Sequence, residues 1–191
     1  MTVFEILADV TRRLEEASIP YAVGGSLASS AWGQQRQTND ADIAILVDKI
    51  SVGKLGPAFP DPYYFNQSEA SQCVRIADEF RTVQLLHMEE AFTIDLFLLH
   101  GTAYDATMLG RARHLKITAA DSGKFCAPED IVLAKLRWFV LGNRVSDRQW
   151  HDIVNVLTIQ RDLLDEAYLD KWAEHFGVRD LLDQARAQVK E

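Results

Sequence analysis

Three aspartates in this sequence have the spacing of carboxylates that act together. Asp40 and Asp42 are one residue apart and directly precede the apolar run of residues 43–47. Side chains at positions i and i+2 of a strand point to the same side, so these two carboxylates would lie close together on one face. Like charges at that separation repel. Because Mg²⁺ prefers carboxylate and phosphate oxygens, the pair predicts a metal-dependent site for a nucleoside triphosphate.

Asp95 is the third acid, and it interrupts an otherwise apolar strand predicted for residues 92–99. An ionised carboxylate in such a strand needs a partner. One alternative is a buried salt bridge to an arginine such as Arg75 or Arg81. The other is that this strand lies beside the strand of Asp42, which would bring all three carboxylates to one sheet edge. Two cations held there could clamp the reacting oxygens in phosphoryl or nucleotidyl transfer.

A glycine turn precedes the acids. The short apolar run of residues 21–23 is followed by Gly24, Gly25 and Ser26 and then by a stretch compatible with a helix. A helix N-terminus presents unpaired N–H groups and a partial positive charge, and glycines let the backbone approach an anion closely. The arrangement predicts phosphate binding. Taken alone, an ordinary strand-to-helix turn is the favoured interpretation of these three residues.

Lys135 is a cation in apolar surroundings. It lies on a helix predicted from Pro128 to about residue 141, where its helical neighbours are apolar or aromatic. A lysine in such company either snorkels outward or reaches an anion. A triphosphate is the functional candidate for that anion, and both alternatives stay open at this stage.

The elements that must position these residues form a mixed α/β front and a helical carboxy-terminal part. Apolar periodicity predicts an opening helix over residues 3–17, behind a capping box formed by Thr2 and Glu5. Residues 48–66, which contain several glycines and prolines, are predicted to form a short helix or turn followed by a loop. The division expected from these elements is a catalytic core of residues 1–127 and a helical region of residues 128–191. Further strands are predicted at 21–23, 43–47, 82–87 and 92–99, and short strands or a hairpin at 114–118 and 124–127. Helices are predicted at 105–113, 128–141, 146–157, 165–175 and 178–190.

Composition narrows the functional classes. The net charge of -8 over 191 residues argues against a broad nonspecific surface for nucleic acid, although a local basic groove is compatible with it. The two cysteines, Cys73 and Cys126, lack the spacing of metal ligands. No apolar run approaches the length that spans a membrane. The expectation is a cytoplasmic protein with no membrane partner.

Three of these segments together resemble the DNA polymerase β-like nucleotidyltransferase superfamily. Val23-Gly24-Gly25-Ser26 is similar to its hydrophobic-Gly-Gly-Ser signature, and Asp40-Ala41-Asp42-Ile43 to its Asp-hydrophobic-Asp-hydrophobic signature. Ile94-Asp95-Leu96 is similar to its third-carboxylate strand. The stretches 36–40 and 128–135 resemble small bacterial AbiEii-type nucleotidyltransferases. The resemblance extends to about residue 157.

The resemblance implies a fold with a short mixed β-sheet flanked by helices, and transfer of a nucleoside monophosphate from an NTP to a hydroxyl with loss of pyrophosphate. It implies that Asp40, Asp42 and Asp95 are catalytic and hold two Mg²⁺ ions, for which Mn²⁺ could substitute. It assigns nucleotide and phosphate binding to Gly24, Gly25, Ser26, Arg36, Thr38 and Lys135.

The acceptor is not determined by the sequence. An RNA end, a protein side chain and a small molecule are all candidates, and toxin-type members of the superfamily, with a cognate antitoxin as partner, are one model. The first alternative is a catalytically inactive module of the same fold that binds a nucleotide or a partner protein. The second is a structural protein in which the acids form salt bridges.

Overall fold

The computed structural model describes residues 1–35, 37–38, 40–76 and 80–189. The chain forms two compact units. The first comprises Met1–Gly24 and Thr38–Phe125, and the second comprises Gly25–Gln37 and Cys126–Glu191. Residues 25–37 thus belong to the same unit as the carboxy-terminal helices. The predicted division, by contrast, separates the chain at one point, between residues 127 and 128. The assignment of two domains stays a prediction.

One mixed sheet forms the centre of the first unit. Its strands are β1 (Tyr21–Val23), β2 (Asp40–Leu46), β3 (Tyr63–Phe65), β4 (Thr82–His87), β5 (Phe92–Leu99), β6 (Arg113–Lys116) and β7 (Ser122–Phe125). Within the described residues the strand order is β3-β4-β5-β2-β1-β7-β6. The β2–β5 and β1–β7 pairs are parallel, and the β1–β2, β3–β4, β4–β5 and β6–β7 pairs are antiparallel. The mixed sheet expected from the sequence is confirmed.

The central strands have one buried and one more open face. In β2, Ala41, Ile43 and Ile45 are buried, whereas Asp42 and Ala44 between them are partly exposed. The same alternation runs through the whole of β5, where Ile94 and Leu96 are fully buried. Because successive side chains of a strand point to opposite faces, the apolar set supplies the core, and the other face can carry polar groups.

Helices of the first unit follow the local signals in the sequence. The first of them, α1 (Val3–Glu16), begins at a capping box in which Thr2 and Glu5 bond to each other's backbone N–H groups. This start was expected from the spacing of the two residues. The unit also contains a 3₁₀ turn (Ser51–Lys54), α3 (Leu55–Ala58), α4 (Gln67–Cys73) and α5 (Ala103–Arg111).

The second unit is helical. It contains α2 (Gly25–Trp32), α6 (Pro128–Leu141), α7 (Asp147–Gln160), α8 (Glu166–His175) and α9 (Arg179–Arg186). Helix α2 is tied to the others through Trp32, whose indole N–H donates to the Cys126 carbonyl at 2.8 Å. The Trp32 carbonyl in turn accepts from the Gln160 amide at 2.8 Å. In the described parts of the chain, no helix combines the length and the apolar character that a membrane span needs.

One strand was missed by the sequence prediction. Residues 48–66 were expected to form a short helix or turn followed by a loop. The 3₁₀ turn and α3 agree with the helical part of that prediction, but Tyr63–Phe65 form β3, which pairs antiparallel with β4. The strand has only three residues and follows Pro62, so no period of two can be recognised in it. The strand is therefore recognised by its pairing with β4 and not by its own sequence pattern.

Candidate active site

Asp42 and Asp95 are direct partners in the parallel ladder between β2 and β5. Neighbouring strands lie about 4.8 Å apart, and paired residues of parallel strands direct their side chains to the same face. Both residues are partly exposed and lie on the open face of the sheet. The expectation that the strand of Asp95 lies beside the strand of Asp42 is confirmed.

Asp40 begins β2, two residues before Asp42, and is exposed. It lies on the same face as Asp42, roughly 6.7 Å away along the strand. Its Oδ1 accepts a hydrogen bond of 2.6 Å from the Thr38 hydroxyl. Thr38 therefore orients one of the acids. Arg36, which was also predicted to bind the nucleotide, lies outside the described residues.

The glycine turn begins beside Asp42. The Gly24 N–H donates to the Asp42 carbonyl at 2.8 Å, which continues the β1–β2 pairing one residue beyond Val23. Gly25 then has a φ of +54°, a left-handed conformation that glycine adopts without a steric cost. It is the first residue of α2, and Ser26 follows in the first turn. The order of strand, turn and helix is as expected, while phosphate binding by Gly24, Gly25 and Ser26 stays a prediction.

The salt bridge considered for Asp95 is not formed by Arg81. The guanidinium of Arg81 is buried and donates to the backbone carbonyls of Val74, Leu98 and Leu99 at 2.7–3.2 Å. It thus ties the end of β5 to the segment before β4. For Arg81 this alternative is wrong, because its guanidinium pairs with backbone groups and not with a carboxylate.

The sequence analysis missed the residue that does contact Asp95. Gln84 lies opposite Asp95 in the antiparallel β4–β5 ladder, and its Nε2 donates to Asp95 Oδ1 at 3.1 Å. Gln84 is the polar residue between the buried Val83 and Leu85. That alternation shows which face Gln84 occupies, but the register that places it against Asp95 is set only by the fold.

The donors on this face fit Mg²⁺ by their chemistry. Carboxylate oxygens are the hard ligands that Mg²⁺ prefers, and the ladder sets two of the three acids on neighbouring strands. Over residues 1–35, 37–38, 40–76 and 80–189, no three or more His, Cys, Asp or Glu side chains already form a group that could hold an ion. Metal binding by Asp40, Asp42 and Asp95 stays a prediction.

Lys135 lies on α6 in the second unit and is buried. Its ammonium donates to Asp152 Oδ2 at 2.9 Å and to Gln149 Oε1 at 3.1 Å, and both partners belong to α7. Outward snorkelling is therefore not what the side chain does. It reaches an anion, which is a carboxylate of the same unit. The phosphate-neutralising role expected for Lys135 stays a prediction.

The variant Lys135→Met is expected to lower the free energy of unfolding by about 3 kcal/mol, because it leaves a buried carboxylate without its ammonium. The side chains of the pair are only 6% and 8% exposed. Denaturant unfolding measures the change, and Lys49→Met, at an exposed lysine, should stay within about 0.5 kcal/mol of the parent. A loss below 1 kcal/mol for Lys135→Met contradicts this account of the pair. A weaker NTP affinity of the folded variant would support the phosphate role.

Comparisons with known proteins identify a fold. No protein-family model and no curated protein matches this chain. Among solved structures it is similar to an antigenic nucleotidyltransferase-like protein from Paracoccidioides brasiliensis, with a TM-score of 0.55 and 17% identity over 96% of this chain and 92% of that one. It is also similar to ANT(2″)-Ia in complex with adenylyl-2″-tobramycin, with a TM-score of 0.62 and 12% identity over 94% and 99% of the two chains. The solution structure of the antibiotic-resistance factor ANT(2″)-Ia is similar as well, with a TM-score of 0.55 and 11% identity over 95% of this chain and 94% of that one.

Proposed function

We propose that this chain, which has the nucleotidyltransferase fold, transfers a nucleoside monophosphate from an NTP to an acceptor hydroxyl with release of pyrophosphate. The observation that carries the proposal is the pairing of Asp42 with Asp95 on adjacent parallel strands, with Asp40 on the same face. A set of carboxylates on one open face is what metal-assisted nucleotidyl transfer requires. The fold of the similar structures supports the same class of reaction.

Asp40, Asp42 and Asp95 would hold Mg²⁺, or Mn²⁺ in its place. When bound, the ion neutralises charge on the phosphates and lowers the pKa of a coordinated hydroxyl. Hydrogen bonds orient Asp40, through the Thr38 hydroxyl, and Asp95, through the Gln84 amide. Both donors are neutral, so neither forms an ion pair with the acid that it contacts.

In the proposed reaction, the acceptor oxygen forms a bond with the α-phosphorus of the NTP. The bond between that phosphorus and the oxygen of the β-phosphate breaks, and pyrophosphate leaves with its electron pair. Asp95 takes up the proton of the acceptor hydroxyl as a general base. Asp40 and Asp42 serve the triphosphate side of the site.

The acceptor is an RNA end, a protein side chain or a small molecule. Net acidity disfavours a large polyanionic acceptor. Two lysines that could contribute to a basic groove, Lys116 and Lys124, lie on β6 and β7. These strands are at the opposite edge of the sheet from β3 and β4. One of the similar structures holds an adenylylated tobramycin, which makes a small molecule a concrete case to test. We further propose that the protein is similar to AbiEii-type enzymes. In that case it could act as a toxin with a cognate antitoxin as its partner.

The test is transfer of label from NTP to a cell lysate separated into RNA, protein and small-molecule fractions. With Mg²⁺ present, adding the protein to the lysate should increase the labelling of one fraction from α-³²P-labelled NTP, whereas labelling from γ-³²P-labelled NTP should not increase. Chelation of the metal should stop the transfer. If adding the protein increases the α-label in no fraction with any of the four NTPs, the proposed transfer is wrong.

The alternative of an inactive module makes a different prediction. Such a module would bind NTP with Mg²⁺ in calorimetry, and it would release no pyrophosphate with any of the three acceptor classes. Calorimetry and pyrophosphate release measured on the same preparation therefore separate an enzyme from a nucleotide-binding relative of the same fold.

A further inference from the structure

Gln84 occupies a defined position beside the third acid of the proposed site. It is the antiparallel partner of Asp95, and its side-chain amide donates to Asp95 Oδ1 at 3.1 Å. On either side of it in β4, Val83 is 2% exposed and Leu85 is fully buried. These buried neighbours anchor the strand in the core, so Gln84 is carried on a fixed backbone and projects from the open face.

The chemical type of this contact matters as much as its geometry. An arginine at the same place would neutralise the carboxylate and would compete with a cation for it. A primary amide restricts the rotation of the carboxylate through one hydrogen bond and leaves its charge in place. The bond engages Oδ1, which leaves Oδ2 as the oxygen that such an arrangement presents to a metal or to a hydroxyl proton.

We infer that Gln84 is a positioning residue of the proposed nucleotidyltransferase site, which holds the carboxylate of Asp95 in the orientation that its metal and proton chemistry need. The inference rests on the proposed function. Hydrogen-bond partners of metal-ligating carboxylates commonly change metal affinity or activity by about 10- to 100-fold when they are removed. Gln84 acts through Asp95, so its effect must disappear when Asp95 can no longer carry a charge.

The experiment is a double-mutant cycle in which electron paramagnetic resonance measures Mn²⁺ affinity in the presence of a non-hydrolysable NTP analogue. Gln84→Met keeps the length of the side chain and removes the donor. It is expected to weaken the second Mn²⁺ bound by the nucleotide complex by about tenfold. In an Asp95→Asn background the same substitution should change Mn²⁺ affinity less than about twofold. The reason is that Gln84 acts on the metal only through the Asp95 carboxylate, so the two substitutions are not additive.

Thr82→Val is the matched control. Thr82 lies two residues before Gln84 on the same face of β4, opposite Phe97 rather than an acid. It should leave Mn²⁺ affinity unchanged in both backgrounds. A Gln84→Met effect of equal size with and without the Asp95 charge, or no effect at all, overturns the inference.

A second measurement separates this inference from the proposed function. In the metal-free protein, the NMR signals of the Gln84 side-chain amide should shift when Asp95→Asn is introduced, and they should be insensitive to Thr82→Val. If wild-type protein takes up no Mn²⁺ with the nucleotide while this shift is seen, the proposed function fails and the contact stands. If Mn²⁺ binds normally and neither the shift nor the cycle shows coupling, the positioning role alone is wrong.

Discussion

Asp42→Asn is expected to abolish nucleotidyl transfer, with a loss in rate of about 10³-fold or more. Loss of one ligand carboxylate removes several kcal/mol of charge stabilisation from the transition state, and about 4 kcal/mol corresponds to about 10³-fold. The measurement is pyrophosphate release at saturating Mg²⁺ and NTP. NTP affinity should fall in the same variant, because Asp42 is assigned to the triphosphate side of the site.

The fold should survive this substitution. Asparagine has the size of aspartate, and the hydrogen bond from Gly24 goes to the backbone carbonyl of Asp42, which the variant keeps. The melting temperature of the variant should therefore stay close to that of the parent. Asp162→Asn is the control, since that side chain is 87% exposed and lies on no strand. Activity above one tenth of the parent in a folded Asp42→Asn protein contradicts the assignment.

Asp95→Asn should separate binding from chemistry. We expect kcat to fall by about 10² to 10⁴, the range for loss of a general acid–base group, while nucleotide affinity changes less than about threefold. The reason is the division of roles, in which Asp95 serves the acceptor hydroxyl and the acids on β2 hold the triphosphate. Steady-state kinetics with pyrophosphate detection gives kcat, and calorimetry gives nucleotide affinity.

The contact with Gln84 helps to separate the charge of Asp95 from its position. The Gln84 amide can donate to the Oδ1 of an asparagine as it does to the Oδ1 of the aspartate, so the variant should keep the side chain in place and lose the charge alone. If kcat is unchanged, or if nucleotide affinity falls as far as kcat does, then Asp95 does not have the separate role proposed for it.

Local patterns in the sequence were sufficient for much of this site. The i, i+2 spacing of Asp40 and Asp42 before an apolar run placed both on one face of a strand, and β2 confirms that placement. The apolar run around Asp95 predicted a strand at 92–99, and β5 has those bounds. Such inferences work because the period of a strand is written in neighbouring residues.

Two contacts that the sequence did not show join different elements of the chain. Gln84 meets Asp95 through the register of β4 and β5, and Lys135 meets Asp152 through the packing of α6 and α7. No local period encodes either pair. The grouping of α2 with the carboxy-terminal helices is of the same kind, since a turn at Gly25 sends the chain into the second unit.

The central claim is that the carboxylates on the open face of β2 and β5 bind the metal of an NTP complex. Anomalous diffraction from crystals grown with Mn²⁺ and a non-hydrolysable NTP analogue tests it most directly. The account predicts manganese coordinated by Asp42 and Asp95 and by the phosphates, with a second ion about 4 Å away. Manganese and nucleotide bound elsewhere, while the carboxylates of Asp42 and Asp95 contact only protein groups, would contradict it.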